Sequence, residues 1–111
     1  MIFFSSAVSP ENENIVTFKA IENEAVSGSC ILKIDGARAT VISLSYVDDK
    51  SYICEGLIKT AFNYACLKNC YMGYICIDKK LSLLDSMGFQ KDENVYFNDI
   101  PTILMGNCCR N

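Results

Sequence analysis

The side chains that could do chemistry in this chain are phenols, thiols and carboxylates, because none of its 111 residues is a histidine. The missing imidazole excludes Ser-His and Cys-His catalysis and any metal site with a histidine ligand. Glu22, Glu24 and Asp78 are the candidate general bases, although such carboxylates are ordinarily solvated surface groups. Among six tyrosines, Tyr46 and Tyr74 are candidate catalytic phenols, with a buried aromatic as the alternative role.

The seven cysteines cannot all pair within one chain, because their number is odd. Cys66 and Cys70 are four residues apart and no C-x-x-C motif occurs, so the spacing typical of structural zinc sites is absent. Three further thiols fall in apolar runs, where cysteine behaves as a small hydrophobic side chain, namely Cys30, Cys54 and Cys76.

Cys108 and Cys109 differ from the other thiols, because they are adjacent and lie in the polar tail of residues 107–111. A vicinal pair can bind a soft metal or respond to an oxidant. The alternative is a polar terminus that carries two thiols without using them. No other metal site is expected.

Composition and charge indicate one globular domain over residues 1–111. Half of the residues are apolar and about a fifth are charged. The net charge of −3 gives no electrostatic reason to expect nucleic acid or an anionic membrane as a partner. No apolar run approaches the ~20 residues of a membrane span. Unpaired thiols then favour a cytoplasmic protein.

Strand-like patterns fill the first part of the chain, at residues 2–8, 15–20, 29–34 and 39–46. Asp35-Gly36 predicts a tight turn between the last two of these runs. Within residues 39–46, alternation predicts that Ile42, Leu44 and Tyr46 share one face of the strand.

A helical period begins at Tyr52, and the apolar spacing predicts a helix to about Lys68, with Asn69 in the left-handed position. The apolar run 71–77 is typical of a central strand covered on both faces. Residues 79–87 predict a short helix that ends at Gly88. Residues 89–90, 94–97 and 102–105 predict further strands. We therefore expect a mixed α/β fold whose sheet is largely antiparallel, with parallel strands flanking the long helix.

The segment 39–89 resembles the GNAT superfamily of acyl-CoA N-acyltransferases. The resemblance rests on the order strand, loop, long helix, apolar strand and short helix, and on the closing Met87-Gly88-Phe89. It implies the GNAT fold, acetyl-CoA as cofactor and an amine as second substrate. The family usually has two helices between its first two strands, whereas only about a dozen polar residues are available here. One side of the sheet should then be less covered, which favours a homodimer or another protein partner.

The resemblance also implies a coenzyme site at the start of the long helix. The family loop R/Q-x-x-G-x-G/A, which holds the pyrophosphate with backbone amides, aligns with residues 49–54. The implied coenzyme-binding residues are Leu44, Tyr46, Asp49, Lys50, Ser51, Tyr52, Ile53 and Cys54.

This sequence departs from the family loop. Asp49 stands at the basic or amide position and Tyr52 at the first glycine, and Asp48 and Asp49 would repel phosphate. The alternative is that these carboxylates and Ser51 cap their own helix.

The remaining family positions leave catalysis open. Leu84 aligns with a tyrosine that often protonates the departing thiolate, and leucine cannot transfer a proton. Tyr46 and Tyr74 lie on the two strands that would enclose the pantetheine arm. Three hypotheses follow: an acetyl-CoA-dependent N-acetyltransferase with a degenerate pyrophosphate loop, a non-catalytic binding or dimerisation module of the same fold, and a redox or metal sensor that uses Cys108 and Cys109.

Overall fold

The computed structural model describes residues 2–46, 51–76 and 82–105. The elements are β1 (Ile2–Val8), β2 (Ile15–Glu22), β3 (Ala25–Asp35), β4 (Arg38–Tyr46), α1 (Ser51–Leu67), β5 (Met72–Cys76), α2 (Ser82–Ser86), β6 (Gln90–Asp92), β7 (Val95–Asp99) and α3 (Ile100–Met105). The strands form one sheet in the order β1-β2-β3-β4-β5-β7-β6. Only the β4–β5 pair within it is parallel, so the predicted mixed, largely antiparallel sheet is confirmed.

The first four strands form a meander with short connections. The predicted β3–β4 turn is confirmed, because Asp35 pairs with Arg38 and Gly36 has a φ of 63°. Residues 9–14 join β1 to β2 as a turn, in which the Asn14 amide donates a hydrogen bond to Asn12 Oδ1 at 2.9 Å. No helix therefore lies between the first two strands, as the sequence predicts.

Helix α1 lies on one face of the sheet and ends as the sequence predicts. Asn69 has a φ of 70°, and the Cys70 amide donates a hydrogen bond to the Ala65 carbonyl at 3.0 Å. This is the Schellman arrangement, which satisfies the last carbonyl groups of a helix. The residues of α1 that are buried recur every three to four positions: Ile53, Cys54, Leu57, Ile58, Ala61, Phe62 and Ala65.

The core occupies only the sheet face that α1 covers. The aligned residues Phe18 and Cys30 lie on that face and are buried. Tyr74, on the opposite face of β5, is only half-buried, while its neighbours Gly73 and Ile75 are buried. The prediction that β5 is covered on both faces was therefore wrong, because no described residue on the opposite face of the strands is buried.

Two further predictions were wrong, one of them at residues 102–105, which form helix α3 instead of a strand. Asp99 caps this helix, because its Oδ2 accepts a hydrogen bond from the Thr102 amide at 2.9 Å and its Oδ1 accepts one from the Thr102 hydroxyl at 3.0 Å. Pro101 lies in the first turn, where its missing N–H costs nothing.

The second error concerns the alternation along β4. Val41 pairs with Leu32 and Ser43 pairs with Ile31, so Ile42 is the extra residue of a β-bulge. Ile42 is 46% exposed, whereas Val41 is buried and shares the α1 face with Leu44. Ile42 therefore does not line the same face as Leu44 and Tyr46.

Residues 82–105 complete the sheet edge. Gly88 has a φ of 94° and Phe89 returns to the core, as predicted.

None of the helices in the described ranges is long and apolar enough to cross a membrane.

Candidate functional site

The first turn of α1 packs closely against β3 and β4, and Gly28 permits this approach. A Cβ atom at Gly28 would lie 2.8 Å from Ile53 Cγ2 and 3.0 Å from the Ser45 carbonyl oxygen. These distances are too short for a normal contact, so any side chain would push the helix away. Gly28 thus fixes where the amides at the start of α1 lie relative to β4.

The parallel strands β4 and β5 pair over only part of β4. Their paired residues run from Arg38 with Met72 to Val41 with Ile75. Residues 42–46 continue β4 beyond this pairing, and the bulge at Ile42 lies where it ends. Within the described residues, β4 therefore extends past its pairing with β5 on the side where α1 begins.

Leu44 and Tyr46 lie on the extended part of β4. Leu44 pairs with Cys30 and Tyr46 with Gly28, so both side chains lie on the α1 face. Both are half-buried and pack against the core. This placement brings Tyr46 close to the first turns of α1, because Gly28 contacts Ile53.

Tyr74 lies elsewhere. It pairs with Thr40, six residues before Tyr46, which corresponds to about 20 Å along the strand. Its side chain is on the opposite face and stacks on Phe97, with ring centroids 6.3 Å apart. The structure therefore does not bring the two candidate tyrosines together.

The start of α1 presents amides and two exposed side chains. Ser51 and Tyr52 are exposed, whereas the side chains of Ile53 and Cys54 are fully buried. Ile53 and Cys54 could hold an anion only through their backbone amides. Free amides and the helix dipole favour negative charge at this end of a helix.

Tyr52 connects α1 to the end of β2. Its hydroxyl donates a hydrogen bond to Glu22 Oε2 at 3.1 Å. Glu22 is half-buried, while Glu24 is exposed in the β2–β3 turn. Sequence reasoning named Glu22 and Tyr52 separately but not as a pair, because the contact spans 30 positions.

A cavity of about 290 Å³ opens at the same end of the sheet. Its lining is Val26, Ser27, Gly28, Ser29, Ser45 and Tyr46. Only Tyr46 was predicted as a site residue. The Ser-Gly-Ser sequence at residues 27–29 was the available signal, since small polar residues in a strand leave room for a ligand.

Several predicted residues lie outside the described part of the chain, namely Asp49, Lys50, Asp78, Cys108 and Cys109. Among the residues that are described, no three metal-ligating side chains come together. Leu84 is described and fully buried, so its side chain belongs to the core.

Burial lowers the reactivity of the Cys30 and Cys70 thiols, because it raises their pKa. Burial, together with the neighbouring Cys54, raises the pKa of Cys30 to about 12. Burial also raises the pKa of Cys70, with Cys66 adding to the effect. Cys30 additionally donates a long hydrogen bond to the Leu57 carbonyl, with 3.9 Å between sulfur and oxygen. Cys66 and Cys76 are exposed.

We predict that iodoacetamide at pH 8 alkylates Cys66 and Cys76 at least ~100-fold faster than Cys30, because only a thiolate reacts. A raised pKa lowers the thiolate fraction at every pH below it. Peptide mapping by mass spectrometry over time gives each rate, and denatured protein is the control in which the rates converge. Equal rates for Cys30 and Cys66 in the native protein would contradict this placement of Cys30.

No family model and no curated protein matches the chain, whereas many solved structures do. The ribosomal-protein-S18-alanine N-acetyltransferase of Escherichia coli aligns with a TM-score of 0.76 and 11% identity, over 90% of this chain and 94% of that one. A GNAT-family acetyltransferase of Staphylococcus aureus aligns with a TM-score of 0.66 and 14% identity, over 78% of this chain and 68% of that one.

A third neighbour is the PaiA N-acetyltransferase of Thermoplasma acidophilum, solved in complex with coenzyme A. It gives a TM-score of 0.62 and 19% identity, over 78% of this chain and 60% of that one. These identities are too low to transfer an activity, but the topology agrees over most of the chain. The protein therefore has the fold of the GNAT superfamily, as its sequence predicts.

Proposed function

We propose that this protein is an acyl-CoA-dependent N-acyltransferase that uses acetyl-CoA and an amine. The observation that carries the proposal is the extension of β4 past its described pairing with β5, beside the start of α1. This geometry places backbone groups of β4 and the amides of the first turn of α1 at one end of the sheet. A long thioester with a charged pyrophosphate needs both kinds of group.

The residues at this end fit such a ligand. The amides of the first turn of α1 and the exposed Ser51 hydroxyl could bind the pyrophosphate. The cavity beside Tyr46 offers small polar residues, and Gly28 holds α1 close to β4. Acetyl-CoA would supply an activated acyl group as a thioester. The chain's own part is to position that group and to accept a proton from the amine.

Glu22 is the described carboxylate best placed for proton transfer. It lies at the end of β2 that also carries the cavity, because it pairs with Ala25, next to Val26. The hydrogen bond from Tyr52 orients the carboxylate. Glu22 would accept the amine proton, directly or through one water molecule, as the amine attacks the thioester carbon. The C–S bond would then break, and coenzyme A would leave as a thiolate that takes a proton from solvent.

A second candidate function is a non-catalytic module with the same fold. Buried Leu84 favours it, because that position cannot protonate a leaving thiolate. Tyr52 favours it too, since a side chain there replaces the glycine that lets backbone approach phosphate. The two functions differ in turnover: a module binds a ligand or a protein but transfers no acyl group.

Replacing Tyr52 with glycine tests both functions. We predict that Tyr52→Gly binds acetyl-CoA several-fold more tightly, because glycine lets the phosphate approach the helix amides. Its transfer rate at saturating acetyl-CoA should fall, because Glu22 loses the hydrogen bond from Tyr52 that orients it. Calorimetry gives affinity and mass spectrometry of the amines gives transfer. Tyr71→Gly is the matched control, since Tyr71 is 59% exposed and lies outside the site.

Weaker binding in Tyr52→Gly than in the unmodified protein would contradict this view of the helix start. Binding of acetyl-CoA by the unmodified protein without transfer to any amine would favour the non-catalytic module.

A further inference from the structure

Strand β1 lies at an edge of the sheet and lacks the features that usually protect an edge strand. The strand order places β1 at one end of the sheet and β6 at the other. β6 is only three residues long and carries Lys91 and Asp92, and short, charged strands discourage pairing with another chain. β1 has seven residues and contains neither a charged side chain nor a proline. Of these two edges, β1 is therefore the one suited to accept another strand.

The pairing of β1 with β2 shows which backbone groups of β1 point away from the sheet. The Ser9 amide, directly after β1, donates a hydrogen bond to the Ile15 carbonyl at 2.8 Å, so Ser9 faces β2. The two strands pair without a register shift. Hydrogen-bonding groups of an antiparallel strand point to alternate sides. The residues whose amides and carbonyls point outward are therefore Ile2, Phe4, Ser6 and Val8.

The side chains of β1 complement those of an identical strand. An antiparallel pair centred on Ser5 sets Ile2 against Val8 of the second copy, on the α1 face. On the open face, which is the face opposite α1, the same pair sets Phe3 against Ala7 of the second copy. Phe3 is 55% exposed and Val8 is 49% exposed, so pairing would cover apolar surface at both ends. Apolar residues thus meet apolar residues, and the two Ser5 side chains meet at the centre.

We propose that β1 pairs with β1 of a second copy of this chain, antiparallel, about a twofold axis that passes by Ser5 perpendicular to the sheet. The two sheets would then form one continuous sheet, with both α1 helices on the same face. In this register the four outward-pointing residues pair only with one another. Each would donate one backbone hydrogen bond and accept one, which gives eight across the axis.

The match favours a second copy over a different protein, because it depends on the order of residues within β1 itself. A twofold axis also closes the assembly after two copies. Pairing of β1 with β6 of another copy would not close, and β6 offers only three residues.

The remainder of the molecule leaves room for this pairing. Gly28 places α1 against β3. At about 4.8 Å between strands, the two β3 strands would lie about 24 Å apart, which exceeds the ~10–12 Å diameter of a helix. Lys19 of β2 pairs with Ser5 and so lies in line with the axis. The two Lys19 backbones would be about 14 Å apart, beyond the ~8 Å over which salt screens exposed charges.

The first experiment is sedimentation velocity of the reduced protein at concentrations up to about 1 mM, without any acyl-CoA. We expect a dimer whose dissociation constant rises at least about tenfold in Ser6→Pro, because proline removes an outward amide from each copy. The Ser6 amide makes no bond to β2 in this pairing, so the β1–β2 ladder should persist. Ser6→Ala is the matched control, since it keeps the amide and should leave the dimer intact. Circular dichroism establishes that each variant is folded.

Disulfide trapping tests the register without depending on the proline variant. The two Ser5 residues would form a non-hydrogen-bonded pair with Cα atoms about 4.5 Å apart, which suits a disulfide. The two Ser6 Cα atoms would be about 8 Å apart, which is too far. Mild oxidation should therefore link Ser5→Cys chains through position 5 and leave Ser6→Cys chains unlinked at position 6, although Ser6 is the more exposed residue. Peptide mapping separates these links from any through the exposed Cys66 and Cys76.

A protein that stays monomeric up to about 1 mM would overturn the proposal. A dimer that Ser6→Pro leaves unchanged, or equal trapping at positions 5 and 6, would also overturn it. None of these outcomes bears on acetyl-CoA binding, which is measured separately.

Discussion

Replacing Gly28 with valine is expected to destabilise the protein by about 1–3 kcal/mol and to weaken acetyl-CoA binding at least about tenfold. The new Cβ would meet Ile53, Leu57 and the backbone of Ser45 at 2.8 to 3.0 Å. Two of these neighbours belong to α1, so relief of the clash displaces the helix from β4. The amides proposed to bind pyrophosphate would then move away from the rest of the site.

Ala25→Val is the matched control for Gly28→Val. Ala25 is exposed on the same strand, so its change in unfolding free energy should stay within about 0.5 kcal/mol. Thermal unfolding and calorimetric titration of both variants give the two quantities. A Gly28→Val variant with unchanged stability and affinity would show that the close packing of α1 on β3 is wrong.

Replacing Phe62 with alanine is expected to destabilise the protein by about 3–5 kcal/mol. Phe62 is fully buried, and its ring centroid lies 6.2 Å from that of Phe89. The ring also covers Gly73, where an added Cβ would lie 2.7 Å from Phe62 Cε1. Its removal therefore leaves a cavity between α1, β5 and the segment after α2. Because the whole free energy of unfolding of a small domain is only about 5–15 kcal/mol, much of the variant should be unfolded near 37 °C.

Urea denaturation measures this effect, with Leu67→Ala as the control on the same helix. Leu67 is 76% exposed, so its truncation should change the unfolding free energy by less than about 0.5 kcal/mol. Similar losses in both variants would contradict the orientation of α1 on the sheet.

Local chemistry explains why parts of the fold could be predicted. The Asp35-Gly36 turn and the ends marked by Asn69 and Gly88 depend on backbone conformations that few residue types favour. The face that α1 buries follows from its apolar period. The absence of a helical pair followed from the length of the β1–β2 connection.

The wrong predictions have physical causes that the alternation of apolar and polar residues along one strand does not reveal. Residues 102–105 are apolar enough for a strand, but Asp99 caps the preceding turn and Pro101 suits a helix start. The bulge at Ile42 depends on the pairing of β4 with β3, which alternation along one strand does not reveal. The open face of β5 was mistaken for a buried one because apolar content does not say how many layers cover a sheet.

The sequence pointed to only a few residues of the candidate site, at the beginning of α1 and on β4. Ser51, Tyr52 and Tyr46 were named from the sequence as what the family resemblance implies. The Tyr52–Glu22 hydrogen bond and the cavity at residues 26–29 depend on how α1 docks on the sheet. Tertiary packing, which no local pattern encodes, places these groups together.

The most direct test of the proposed function is calorimetric titration of acetyl-CoA and CoA into the reduced protein, with a thermal shift measured in parallel. We predict saturable binding of one coenzyme per chain, and about 2.7 kcal/mol of added stability at 100 times the dissociation constant. Loss of this binding in Gly28→Val and its retention in Ala25→Val would assign it to the start of α1. No binding at millimolar coenzyme would contradict the proposal and leave the fold with a different role.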